Sequence, residues 1–221
     1  MIISLGKAEL TSYVARQINS LFPDKIVTDE SLSLYVERAL ERLEYCFSHI
    51  NIKYFFDGEQ SHFNHLNTDQ YAMFLYFLCN TIHRLEGEPA LASKIYALNK
   101  SLHAIDAFYE VELPDIFAFQ HPVGTVLGRG KYSDYFFVYH RCSIGSSLKG
   151  EYPTLGEGVV MFGGSGIIGN CTVGDNCWLS VGALVMGSVN VPADSLVFGT
   201  SPGNIIKPTS RNVIRDIFVA K

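Results

Sequence analysis

Two rhythms of apolar residues divide this chain. Between Thr28 and Ile50 the apolar positions fall at Val36, Leu40, Leu43, Phe47 and Ile50, alternating steps of four and three that line one face of an α-helix. Thr28 suits its N-cap. A second helix is predicted after Thr68, carrying Tyr71, Phe74, Leu75 and Leu78. A third runs through Leu91, Ile95, Leu98, Leu102 and Ile105, with Pro89 near its start. Gly87 and Pro89 punctuate the break between those two, and the irregular stretch 51–67 reads as a loop or a short helix.

From residue 155 the step becomes six. Leu155, Met161, Ile167, Val173, Leu179, Val185, Val191 and Val197 keep it without a break, and a small residue follows each by four: Val159, Ser165, Cys171, Cys177, Ala183, Val189, Ser195 and Ser201. Neither a helix nor a flat strand has this period, and an internal repeat outranks local propensity. The pattern describes a three-sided prism in which each hexad supplies one short strand and one corner. The aliphatic residue points inward and stacks on its equivalent one coil away, about 4.8 Å distant. Gly156, Asn170, Gly174, Asp175 and Asn176 fall at or beside corners, where positive φ favours Gly, Asn and Asp. Upstream, Tyr132, Val138 and Ile144 keep the step, with Phe136 and Cys142 at the second inward position; the phase slips between Ile144 and Leu155. The residues Ser146 to Tyr152 are therefore expected to leave the prism as a loop, a common place for function. The fold class is α+β: an all-helical N-terminal domain over 1–104, a left-handed parallel β-helix of hexapeptide repeats over 105–208, and a tail over 209–221.

Composition narrows the function. With 48% apolar and 18% charged residues the chain is globular, and a net charge of −5 without any Lys/Arg cluster argues against a nucleic-acid partner. Its first residues lack the basic-then-apolar layout of a signal peptide, and the longest apolar run, Tyr71 to Cys79, is too short to span a bilayer. Five scattered cysteines with no CxxC pair suit buried, reduced thiols in a cytoplasmic protein. His62 and His65 have metal-like spacing, but no carboxylate or thiol set accompanies them, so no metal is expected.

The helical half, the hexads and the closing run Phe198-Gly199-Thr200-Ser201-Pro202-Gly203-Asn204-Ile205-Ile206-Lys207-Pro208 together resemble serine acetyltransferase, over roughly residues 65 to 208. The discriminating stretch is His121-Pro122-Val123-Gly124-Thr125-Val126-Leu127-Gly128, similar to the His-Ala-Thr-Gly-x-x-Ile-Gly segment around that family's catalytic histidine. Asp106 precedes His121 by the fifteen residues that separate the family's catalytic pair, just short of one coil. The resemblance implies an acetyltransferase using acetyl-CoA as co-substrate, with His121 as general base and Asp106 as its orienter. Asp115 is a rival orienter. Backbone N–H groups near Gly145 and Ser146 would hold the oxyanion. Gly163, Gly164, Ser165 and Val181 lie at positions resembling the family's pantetheine-binding corners, and Lys207 would meet a CoA phosphate. Asp69 lies where the family's helical domain supplies an acceptor-binding Asp; it also reads simply as a first-turn helix residue. His103, near the helix-to-prism junction, reads as a capping or packing residue.

The resemblance breaks down around the amino acid. Where the family has an Asp before its histidine, this chain has Gln120; where it has Arg-His-Pro to receive the serine carboxylate, Glu151-Tyr152-Pro153 stand. Arg129, Arg141 and Lys149 are the only nearby cations. Gln120, Glu151 and Tyr152 thus read as the acceptor-binding set of an O-acetyltransferase whose acceptor is a sugar or surface-polysaccharide precursor. The alternatives are serine O-acetyltransferase itself, an amino-sugar N-acetyltransferase, and a catalytically dead scaffold, the last disfavoured by the His121–Asp106 pair. Trp178, Phe162 and Leu196 take outward hexad positions, and with the family's habit of building sites between prisms they imply a homotrimer or a dimer of trimers.

Overall fold

A computed structural model describes residues 1–219, leaving the last two residues of the expected tail outside the described part. The N-terminal part is not wholly helical, since Ile2–Ile3 pairs in parallel with His62–Phe63, but four helices dominate it: α1 (Lys7–Leu21), α2 (Asp29–Phe47), α3 (Thr68–Arg84) and α4 (Pro89–His103). The first is an addition to the three expected, and it buries Leu10, Val14, Ala15 and Ile18 along one stripe. Thr28 caps α2 through Ser31 N–H, Asn67 caps α3, and Pro89 opens α4, which ends on Ala104 in the left-handed region. Every residue of α3 from Asp69 to Ile82 is buried, so this helix is the axis on which the others and the prism pack.

The rest is a parallel β-helix with three faces. The first face carries Asp106–Ala107, Val126–Leu127, Ser143–Gly145, Gly166–Ile168 and Leu184–Met186. The second carries Thr154–Leu155, Thr172–Val173 and Asn190–Val191. The third carries Phe117–Phe119, Phe136–Val138, Val159–Met161, Cys177–Leu179 and Ser195–Phe198, closed by the antiparallel Ile205–Pro208. All eight aliphatic hexad residues from Leu155 to Val197 are buried inside, as the six-residue step requires. The core is continuous with the helices: Phe77 of α3 packs on Phe117 at 5.2 Å between ring centroids, and Tyr76 Oη donates to the Val111 carbonyl at 2.7 Å. All five cysteines are buried and unpaired with one another, and no helix among the described residues is long and apolar enough to cross a membrane.

Two corner details depart from expectation. Of the five corner residues named from sequence, only Asn176 takes positive φ; Gly174 is required instead by close approach, since a Cβ there would lie 2.6 Å from the Ala193 nitrogen. Trp178 does point outward, but it is buried, because the chain returns over the third face. The Arg211 guanidinium lies 3.8 Å from the centroid of its indole, and Val213 N–H donates to Asn176 Oδ1. A short helix α5 (Val213–Ile217) then brings Phe218 edge-on to Tyr135 and Phe137 and into a bridge with Ile50. The chain's own tail thus covers the apolar stripe that Trp178 was expected to offer to another copy, and Phe162 and Leu196 are themselves half-buried.

Candidate active site

The edge where the third face turns into the first stacks four corners. Three hold four residues each (139–142, 162–165 and 180–183), while the corner at 120–125 holds six. The two extra residues carry the backbone outward, and His121 stands there at φ 50° with its side chain 73% exposed. A β-carbon at positive φ is strained, and such strain collects at functional positions. The backbone is tied down by His121 N–H, which donates to Asp69 Oδ2 at 3.1 Å.

Asp69 is the carboxylate that faces this histidine. It sits in the first turn of α3, is buried, and brings Oδ2 to 3.6 Å from His121 Nδ1, within ion-pair range though longer than a hydrogen bond. Burial raises the Asp69 carboxyl above its ordinary value, against the downward pull of the His121 N–H. On the other side of the ring, Tyr54 Oη donates to Gln120 Oε1 at 3.1 Å, which turns the Gln120 amide N–H toward His121 Nε2, also at 3.1 Å. The chain Tyr54–Gln120–His121–Asp69 therefore favours one tautomer: proton on Nδ1 toward the carboxylate, lone pair on Nε2 at the prism edge. Tyr54 lies in the irregular stretch 51–67, where no sequence signal points to it. Asp69, His121, Thr68, Leu102, His103 and Val123 line a cleft of about 220 Å³.

Asp106 does not meet His121. It pairs with Val126, twenty residues on, because the longer corner lengthens this coil beyond the eighteen residues that separate Gly166 from Leu184. Its carboxylate accepts from Tyr96 Oη at 2.7 Å and Lys100 Nζ at 2.5 Å. Burial works to raise it, and those two hydrogen bonds outweigh this and hold the carboxyl below its ordinary value. Asp115 is no substitute, lying 3.8 Å from Arg84 on another side of the molecule. His62 and His65, the metal-spaced pair, bond to Asp57 and Ser4 respectively.

The remaining sequence-derived residues divide between two edges. Gly164 and Val181 are exposed on the His121 edge. Gly163 is on that edge but covered: a Cβ there would come 2.5 Å from His140 Nε2. Ser165 turns its side chain inward against Cys142 and has both backbone groups engaged, N–H to Phe162 and carbonyl to Ser143, so it does not present itself to a ligand. Lys207 is exposed in the last strand of the third face, opposite Leu196 and away from the edge. Gly145, Ser146, Glu151 and Tyr152 lie at the opposite edge, where the first face turns into the second. There Glu151 accepts from Ser147 Oγ at 3.0 Å, and Tyr152 joins Glu110 and Arg129 in lining a separate groove of about 540 Å³. Within one chain these four residues do not join His121. Of the three candidate cations, Arg129 is paired with Glu110, whereas Arg141 has no ion-pair partner among the described residues and lies beside Gly124 on the His121 edge.

No family model matches this chain. It is similar to the serine acetyltransferase of Synechococcus elongatus, 27% identical over 122 residues covering 53% of this chain and 49% of that protein. It is also similar to that of Buchnera aphidicola subsp. Acyrthosiphon pisum, 32% identical over 95 residues covering 41% and 34%. The chain thus spans about half the length, or less, of the curated relatives it matches. Among solved structures, a serine acetyltransferase in complex with coenzyme A from Brucella abortus strain S19 aligns at a TM-score of 0.69 and 16% identity, over 95% of this chain and 84% of that one. At that identity the likeness is one of fold, a helical region followed by a hexapeptide-repeat prism.

Proposed function

We propose that this serine acetyltransferase-like protein is an acetyl-CoA-dependent O-acetyltransferase whose acceptor is a sugar or surface-polysaccharide precursor. The observation that carries this reading is the presentation of His121: an exposed imidazole with a buried carboxylate 3.6 Å from Nδ1 and its Nε2 lone pair turned to the open edge. An alcohol attacks a thioester poorly at neutral pH unless a base takes its proton as the new bond forms. In the proposed reaction the acceptor hydroxyl displaces the Gln120 amide from His121 Nε2. The oxygen then bonds to the acetyl carbon while its proton passes to Nε2, and Asp69 stabilises the imidazolium. As the carbon–sulfur bond breaks, that proton goes to the departing CoA sulfur, leaving an acetyl ester, free CoA thiol and a neutral histidine. Gly164 and Val181 continue the edge beyond His121, where an extended pantetheine would run.

A sugar suits the cleft better than a free amino acid because its polar lining is Thr68, Asp69 and two histidines, with no Lys or Arg to receive a carboxylate. Serine O-acetylation is the second reading. It is favoured by the names of the curated relatives and by the unpaired Arg141 one coil along the edge. Release of free thiol from acetyl-CoA that depends on an added hydroxyl acceptor tests the reaction class. Turnover with neither sugars nor L-serine would remove it.

The acceptor set is divided between two edges of one prism, so we further propose a homotrimer, or a dimer of trimers, in which the His121 edge of one copy meets the Tyr152 edge of the next. Exposed Val123, Val126, Val181 and Met186 sit on the first face and its His121 edge, the surface such an assembly would cover. Light scattering should return a multiple of three chains. Mixing the separately inactive His121→Ala and Tyr152→Ala chains should restore part of the activity, since some mixed interfaces would be intact. A dilute, fully active monomer would rule the arrangement out.

A further inference from the structure

We propose that His103 is a specificity-determining residue of the acceptor cleft, its Nε2 accepting a hydrogen bond from a second hydroxyl or amine of the acceptor, an assignment that rests on the acetyltransferase reading above. His103 ends α4 and lines the same cleft as His121 and Asp69. Its ring is oriented by two linked bonds. Asn99 Nδ2 donates to the Ala72 carbonyl at 2.9 Å, which turns Asn99 Oδ1 toward His103 Nδ1, 2.8 Å away. An amide oxygen only accepts, so Nδ1 carries the proton and Nε2 the lone pair. Tyr71 packs edge-on against the ring at 5.7 Å between centroids and fixes its plane.

The structural duty of this side chain is met by Nδ1. Nε2 has no partner among the described residues, yet it is not sealed in the core, since the only sealed and unpartnered side-chain nitrogens among them are those of Arg42 and Trp178. It therefore opens into the cleft. Burial holds the imidazole down to about 4, so it stays neutral, and accepting, throughout the physiological range. An acceptor that opens into a cleft is met by water until a ligand donor displaces it. Here the donor would come from the ligand, and with the Asp69 carboxylate and His121 beside it the cleft asks for a molecule bearing several donors. Leu102 and Val123 at its rim provide apolar contact for the C–H face of a sugar ring. The ligand class is thus a polyol or amino-polyol: one hydroxyl reacts at His121 and a second is read by His103.

The test uses the full chain with acetyl-CoA and a panel of N-acetylglucosamine, galactose, glucosamine, UDP-N-acetylglucosamine and L-serine. His103→Phe keeps the ring volume and removes the Nε2 lone pair together with the Nδ1–H bond to Asn99, whereas His103→Gln places an amide where Nε2 stood. With the best acceptor, His103→Phe should raise KM about 10- to 100-fold, the range for an unpaired buried donor, and His103→Gln should recover most of it. kcat should change little in either, since the residue does not touch the reacting atoms. Independently of turnover, long-range ¹H–¹⁵N spectra of the unmodified chain should show Nε2 unprotonated at pH 7 and shifted upfield by the acceptor. An unmoved Nε2 resonance across the panel overturns the assignment whatever the activity, as does an unchanged KM in a folded His103→Phe chain. If Nε2 responds to a sugar but no acceptor yields thiol, the acetyltransferase reading falls and the His103 contact stands.

Discussion

Replacing His121 by alanine should lower acceptor-dependent thiol release by at least about 100-fold, the lower end of what a positioned general base supplies. The substitution removes the Nε2 lone pair at the prism edge and leaves the Asp69 carboxylate without its imidazole. Little else changes. The side chain is 73% exposed, and the backbone N–H that donates to Asp69 Oδ2 is retained. The melting curve should therefore stay within the roughly 0.5 kcal/mol typical of surface substitutions, and acetyl-CoA affinity should hold. Asp69→Asn is the companion measurement. It keeps the acceptor for His121 N–H through the amide oxygen but withdraws the charge that would stabilise the imidazolium, so kcat should fall with KM little changed. Asp106→Asn should instead act on stability, by loosening Lys100 and Tyr96, and leave kcat near its starting value. A His121→Ala chain with undiminished turnover, or an Asp106→Asn chain that loses all of it, would return the orienting role to Asp106 or remove the base altogether.

L-Serine should be a poor acceptor, at least about 100-fold below the best sugar in kcat/KM. The reason is electrostatic. Free serine carries a carboxylate close to its hydroxyl, and a pocket that binds it must supply a cation. The cleft at His121 is lined by a carboxylate and two imidazoles. At the opposite edge Glu151 and Tyr152 stand where an Arg-His pair would be needed, and Arg129 is committed to Glu110. Leaving one member of a buried charge pair without its partner costs about 2–5 kcal/mol, which is a factor of ~30 to several thousand. Arg141 is the route on the His121 edge by which serine could still be held, and Lys149, likewise without an ion-pair partner among the described residues, is a second at the opposite edge. An L-serine kcat/KM above about 10⁴ M⁻¹s⁻¹ that collapses in Arg141→Ala would establish the serine reading and locate its carboxylate site in one experiment.

The prism and most of the helical half are legible in the order of the residues alone. Eight unbroken hexads can satisfy their aliphatic residues in only one way, with every sixth side chain inward, and Leu155 through Val197 are buried accordingly. Steps of three and four mark the stripes of α2, α3 and α4, while α1, with a shorter stripe at Leu10, Val14 and Ile18, emerges only in the fold. His121 is legible through a local run of eight residues, because a corner and the strand after it are formed by neighbours in sequence.

What acts on His121 is decided in three dimensions. A separation of fifteen residues suggests Asp106 only on the assumption of a regular coil. Two extra corner residues lengthen that coil, move His121 outward, and set it against the first turn of α3, fifty-two residues earlier in the chain. His103 comes to the site from the end of α4 and Tyr54 from a turn in the stretch 51–67, and no periodicity announces either meeting. Trp178 shows the limit from the other side: the six-residue step places it outward correctly, but only the return of the tail, with Arg211 across the indole, makes it a core residue. Repeats specify which way a side chain points because that depends on the local backbone. What it then meets depends on where distant segments pack, and that belongs to the tertiary structure.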